Sequence, residues 1–155
     1  MKKLMFGMAA ALALCGMADI ESSNVVGYNT KDVEKGKFAI AAVQFEGTDG
    51  TTDINKLIGG MTGGTYDDDF TFRATAPHIQ VPNATTGGYD LYYYLEDGYY
   101  VDENGQDAYK PGWCDAYGTI AGDTEAGARV SGLVPQGFGF WTKGVGSEFS
   151  ITFKK

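Results

Sequence analysis

Apolar residues recur with a period of two along most of the chain, in short runs bounded by Gly, Asp, Asn and Pro. That is the pattern of strands joined by turns, and helical periodicity is nearly absent. The strands it predicts are Asn24–Asn29, Lys37–Glu46, Phe70–Ala74, His78–Val81, Tyr89–Leu95, Tyr99–Asp102, Asp107–Lys110, Arg129–Val134, Gly139–Lys143 and Glu148–Lys154. In the last of these Phe149, Ile151 and Phe153 alternate with Ser150, Thr152 and Lys154, so one face is dry and the other wet. One short helix is predicted, capped by Thr52 or Asp53, carrying Ile54, Leu57 and Ile58 on one face and stopping at Gly59-Gly60. Many short strands with at most one short helix point to an all-β, antiparallel β-sandwich or barrel-like domain. Asn104-Gly105 supplies the positive φ of a tight hairpin between Tyr99–Val101 and Ala108–Tyr109, and Gly144–Ser147 reads as a second hairpin turn joining Phe138–Trp141 to Phe149–Phe153. The closing strand is expected beside, or facing, the first one.

The first eighteen residues read differently. Lys2 and Lys3 precede an apolar run from Leu4 to Leu14, followed by Gly16-Met17-Ala18. This is the layout of a secretory signal peptide cleaved before Asp19, leaving residues 19–155 as a single β domain. The run is too short to span a bilayer as a helix, and no longer apolar stretch follows it. Lipidation of Cys15 and prepilin-type cleavage at Gly7 fit less well, because Leu14 and Leu12 stand where those routes need a small residue and a Glu.

Charge narrows the partners. The 155 residues hold 12 basic and 20 acidic side chains, a net charge of -8. Losing residues 1–18 removes Lys2 and Lys3 and no acid, which takes the charge to -10. Arg occurs only at Arg73 and Arg129 and lysines never cluster beyond a pair, so a nucleic-acid partner is disfavoured. An exported acidic surface stays soluble and attracts divalent cations. Cys114 is then the one cysteine left, which excludes an internal disulfide and leaves either core burial or an intermolecular disulfide.

Both ends of the region after the leader carry a resemblance. Glu21-Ser22-Ser23-Asn24-Val25-Val26-Gly27-Tyr28, the strand Phe38–Phe45, Gly112-Trp113-Cys114-Asp115, and Leu133–Trp141 before Ser150-Ile151-Thr152-Phe153 carry it. The chain resembles short secreted proteins of verrucomicrobial and related bacteria with an SxNVVGY-like start and a PGxGFW…TITF-like end. The resemblance implies an exported, all-β, non-enzymatic product, and it supplies no catalytic residues.

No reaction chemistry stands out. The lone His78 lies in a strand-like piece between Pro77 and Pro82 and reads as structural. Nucleophile elbow, P-loop, dinucleotide fingerprint and metalloprotease helix are all missing, so no catalytic residue is assigned. Two features suit binding. Along Tyr89–Leu95, period two sets Tyr89, Leu91, Tyr93 and Leu95 on one face and Asp90, Tyr92 and Tyr94 on the other. Tyr92, Tyr94 and Trp113 are the candidate exposed stripe for a glycan or a second subunit, the alternative being that core covers both faces. Asp102, Asn104 and Asp107 alternate as calcium ligands do, without the terminal Glu of a twelve-residue loop, so Ca²⁺ is a weak expectation beside solvated turns. The reading that follows is an exported structural or assembly protein of the cell surface or extracellular matrix, without enzymatic activity or required cofactor. Self-association or contact with other envelope proteins is expected; the alternative is a carbohydrate-binding module.

Overall fold

A strand with apolar residues on one face needs a second layer to bury them, and this chain supplies it with a second sheet. The computed structural model describes residues 28–42, 52–59, 61–134, 139–143 and 148–154. The predicted leader, positions 24–27 and 43–46 of the first two predicted strands, and the turn at 144–147 lie outside the described residues. In chain order the elements are β1 (Tyr28–Val33), β2 (Phe38–Ala42), α1 (Ile54–Leu57), β3 (Ile58–Gly59), α2 (Phe72–Thr75), β4 (His78–Asn83), β5 (Gly88–Val101), β6 (Asp107–Cys114), β7 (Gly139–Lys143) and β8 (Phe149–Lys154). They form a five-stranded sheet in the order β2-β7-β4-β5-β6 and a three-stranded sheet in the order β1-β8-β3. All pairings between these strands are antiparallel, giving the expected all-β, sandwich-like fold.

The main core lies between the sheets. Ile79, Val81, Tyr92 and Trp113 from the larger sheet meet Val33 and Ile151 from the smaller one, with Ile54, Leu57 and Ile58 from α1 and β3. A second cluster lies on the opposite face of the larger sheet, where Phe72 and Ala76 cover Tyr93, Leu95 and Cys114. At Gly98 a Cβ would collide with the Cys114 sulfur and the Ile120 side chain, so this packing requires glycine there.

β1 does lie beside β8, from Tyr28 opposite Lys154 to Val33 opposite Phe149. The predicted β7–β8 hairpin does not form. β7 pairs with β2 and β4, whereas β8 pairs with β1 and β3 in the other sheet. β1 and β2 therefore take their partners β8 and β7 into different sheets. The alternation in Phe149–Phe153 specifies a dry face; it is silent on which strand lies alongside.

Three further predictions are corrected. Phe70–Ala74 is not a strand, because the Asp67 carboxylate accepts from the Thr71 and Phe72 backbone N–H groups at 2.8 and 3.1 Å and starts α2 instead. Pro77 ends it by holding Ala76 extended. The described residues therefore hold two short helices, where at most one is expected. Arg129–Val134 forms no ladder, since its bonds go to two segments: Val130 O accepts from Gly122 N–H, while Gly132 O accepts from Ile54 N–H. Tyr89–Leu95 and Tyr99–Asp102 are one strand, β5, irregular between Leu95 and Gly98.

The central position of β8 in its sheet makes it indispensable. Ile151 is fully buried, so Ile151→Ala should cost about 2–5 kcal/mol. Truncation after Gly146 removes the shared partner of β1 and β3 and should abolish cooperative unfolding. Thermal melts followed by circular dichroism check both, and a truncated chain that melts like the full one would show that the smaller sheet is dispensable.

Candidate functional site

The aromatic block of β5 divides between the faces as period two requires, and core reaches both faces, with Tyr89 at its start left exposed. Tyr92 is buried in the main core and donates from its hydroxyl to Ser131 O at 2.9 Å. Burial pushes its pKa up to about 12, with Asp90 adding to the effect. Tyr94 is half-buried, edge-on to Trp113 with ring centroids 5.3 Å apart. Trp113 is 0% exposed. Its indole Nε1–H donates to Ile58 O at 2.9 Å, and Asn55 Oδ1 accepts its backbone N–H at 2.6 Å. The expected exposed stripe of Tyr92, Tyr94 and Trp113 is thus the interior of the sandwich. Alternation separates two faces; when both are rich in Tyr and Leu it does not say which one water reaches.

Cys114 faces the second cluster and is a free, fully buried thiol. Burial, reinforced by Asp115 and Asp97, raises its pKa far above that of an ordinary thiol. That geometry fits the core alternative and keeps the Cys114 sulfur away from the surface, where an intermolecular bond would need it. Asp102 and Asn104 belong to the β5–β6 turn, and Asp107 opens β6 opposite Val101. Asp102 Oδ1 accepts from the Asn104 and Gln106 backbone N–H groups at 2.9 and 2.8 Å, while Asp107 accepts the Tyr99 hydroxyl at 2.9 Å. Gly105, at φ +73°, closes this hairpin as predicted. Among the described residues no three His, Cys, Asp or Glu side chains are grouped to share a metal ion. His78 is buried in β4 with its ring 5.7 Å from that of Tyr93.

The exposed apolar surface is elsewhere. On the outer face of the larger sheet, cover by α2 and the preceding loop reaches β5 and β6 and stops short of β2 and β7. There Phe38 is 58% exposed, Ile40 61% and Trp141 40%. Ile40 lies opposite Trp141, and the Phe38 and Trp141 rings meet edge-on at 6.4 Å. Ala39 and Ala41, the alternate residues, point to the main core. Trp141 is therefore at the surface. β2 is an edge strand, with β7 as its only ladder partner among the described residues. A groove of about 450 Å³ runs along the patch, lined by Lys31, Asp32, Glu34, Lys37, Phe38 and Trp141. Lys37 and Glu34 form an ion pair across the β1–β2 turn. No helix among the described residues is long and apolar enough to cross a membrane.

The chain matches no family model, and no curated protein or solved structure is significantly similar to it.

Two outcomes follow from the buried thiol and the Asp102 carboxylate of the β5–β6 turn. Cys114 should resist thiol reagents in the native protein and react once it is denatured; rapid native labelling would mean that β6 opens readily. Hydrogen bonds, foremost that from the Gln106 backbone N–H, hold Asp102 below the usual carboxylate range. A folded-state pKa that is lowered gives stability above the unfolded value, lost as pH falls through the folded one. Asp102→Ala should therefore destabilise the protein at neutral pH and converge with the parent as the pH falls below the ordinary carboxylate range in thermal melts. A difference independent of pH would show that the charge is not the source.

Proposed function

We propose that the protein is an exported structural or assembly component of the cell surface or extracellular matrix, without enzymatic activity, and that it associates with copies of itself through β2. One observation carries the proposal: Phe38, Ile40 and Trp141 stand exposed together on and beside an edge strand. Soluble chains usually blunt such an edge with charge, proline or cover, because it is a template for another strand. Here the charges flank the patch and are of both signs, Lys31 and Lys37 with Asp32 and Glu34. A surface with both signs complements itself across a two-fold axis, which favours a second copy over a partner of one charge. Burial of Ile40 and Trp141 against that copy is worth about 1.5–3 kcal/mol for each large apolar side chain. The leader-like segment at 1–18 and the resemblance of both chain ends to short secreted proteins support export.

A carbohydrate-binding role is the second reading, now resting on Trp141 and the groove beside it. Sedimentation of the full chain without residues 1–18 separates the two. Self-association should appear with rising concentration and be lost in Ile40→Lys with the circular dichroism unchanged. A strict monomer at every accessible concentration would overturn the proposal. Saturable glycan binding that Trp141→Ala abolishes and Ile40→Lys leaves intact would favour the carbohydrate reading.

A further inference from the structure

The ladders of the larger sheet decide which backbone groups of β2 face outward. Pro77, just before β4, accepts the Tyr94 N–H at 2.9 Å, so its carbonyl points toward β5 and the residues of β4 alternate from there. His78 and Gln80 then turn toward β7, opposite Lys143 and Trp141. Thr142 of β7 turns the other way, toward β2, opposite Ala39. Alternation along β2 therefore points the N–H and C=O groups of Ile40 and Ala42 away from β7, at the rim of the sheet. The strand Phe38–Ala42 holds neither a charge nor a proline.

The other rims are guarded. β6 ends the same sheet on the far side. Tyr99 donates its N–H to Gly118 O and accepts from Ile120 N–H, so it turns away from β6, and Tyr109 opposite it turns outward together with Asp107, Pro111 and Trp113. Pro111 has no N–H to offer. The Trp113 N–H is taken by Asn55 Oδ1 and its carbonyl by Ala121 N–H, while Asp107 sets a charge on the rim. In the smaller sheet β3 is two buried residues long, and β1 carries the exposed Lys31 and Asp32. Charge, proline, brevity and cover are the ordinary defences of a sheet edge. Among the described residues, β2 is the edge strand that lacks all four.

We infer that two copies join β2 to β2 in antiparallel register about a two-fold axis at Ile40, fusing two five-stranded sheets into one, and that assembly ends at this pair. The inference rests on the reading that the chain self-associates through β2. Head-to-tail growth would require β2 to meet a different open edge on the next copy, and β6, β1 and β3 do not offer one. A β2–β2 contact uses the same strand twice and leaves none over. Centred on Ile40, the pairing sets Ile40 beside its own equivalent and Phe38 beside Ala42, a large side chain against a small one. Trp141, opposite Ile40 on β7, flanks the Ile40 pair.

Sedimentation velocity on the full chain without residues 1–18, over a wide concentration range, should show monomer and dimer alone. Cysteine pairing reads the register, since Cys114 is buried and a thiol placed on β2 reports by itself. With glutathione disulfide as oxidant, Phe38→Cys alone and Ala42→Cys alone should give no covalent dimer, because an offset of four residues sets each roughly 13 Å from its equivalent, beyond disulfide reach. A mixture of the two variants, both of which keep Ile40 and Trp141, should crosslink. A strict monomer would overturn self-association through β2 and this inference with it. Larger oligomers or fibres would overturn the closed pair and leave self-association standing. A dimer in which the mixture crosslinks no better than either variant alone would overturn the antiparallel register.

Discussion

An indole N–H inside an apolar core has to find an acceptor, and the way Trp113 finds one ties the two layers of this protein together. Its ring comes from β6 of the larger sheet and its bond goes to Ile58 O, at the start of β3 in the smaller one. Its own backbone N–H is taken by Asn55 on α1. A buried donor left unpaired costs about 1–3 kcal/mol, so these bonds set where α1 and β3 dock on β6. Tyr92, whose hydroxyl reaches Ser131 O, repeats the device a strand away. Residues that look suited to a ligand in sequence are here the polar-tipped aromatics that register one sheet on the other.

With these aromatics turned inward, the larger sheet has a second apolar face to cover, and α2 with its preceding loop covers only part of it. The division is visible across one row of strand partners. Ile40 and Trp141 are exposed at one end; Gln80 and Leu91 are half-covered at the other. In the neighbouring row Tyr93 and Cys114 are buried outright. The exposed flank thus belongs to a face that is core elsewhere, which is why its residues are of core type.

The acidity of the chain acts in a similarly local way. Asp53, Asp67, Asp102, Asp115 and Asp123 each accept backbone N–H groups and thereby build a helix cap, a turn or a loop anchor. Glu96 and Asp97, at the irregularity in β5, reach the Gly63 and Tyr66 N–H groups and stitch the covering loop to the sheet. Arg73 ties the backbone too, donating from Nε to Ala116 O. Arg73 and Arg129 also stack on aromatics at a surface that Asp67 and Asp115 organise.

Local signals in the sequence determined a good deal. Alternation marked β4, β7 and β8, the helix-cap spacing marked α1, and Asn104-Gly105 marked its hairpin, because each depends on residues a few positions apart. The sequence also sorted the two faces of β5 correctly. It did not show which face is interior, since Tyr and Leu occupy both and the decision rests on what packs from afar. Only the tertiary structure could separate β7 from β8 into different sheets, because strand order depends on pairings across most of the chain. The same holds for Trp113 and Trp141, two tryptophans in similar local surroundings. One is fully buried because β3 and α1 close over it, and the other is exposed because nothing described covers the β2 flank. Period two fixes the side of a strand on which a residue sits; burial is decided by the layer that lands on that side.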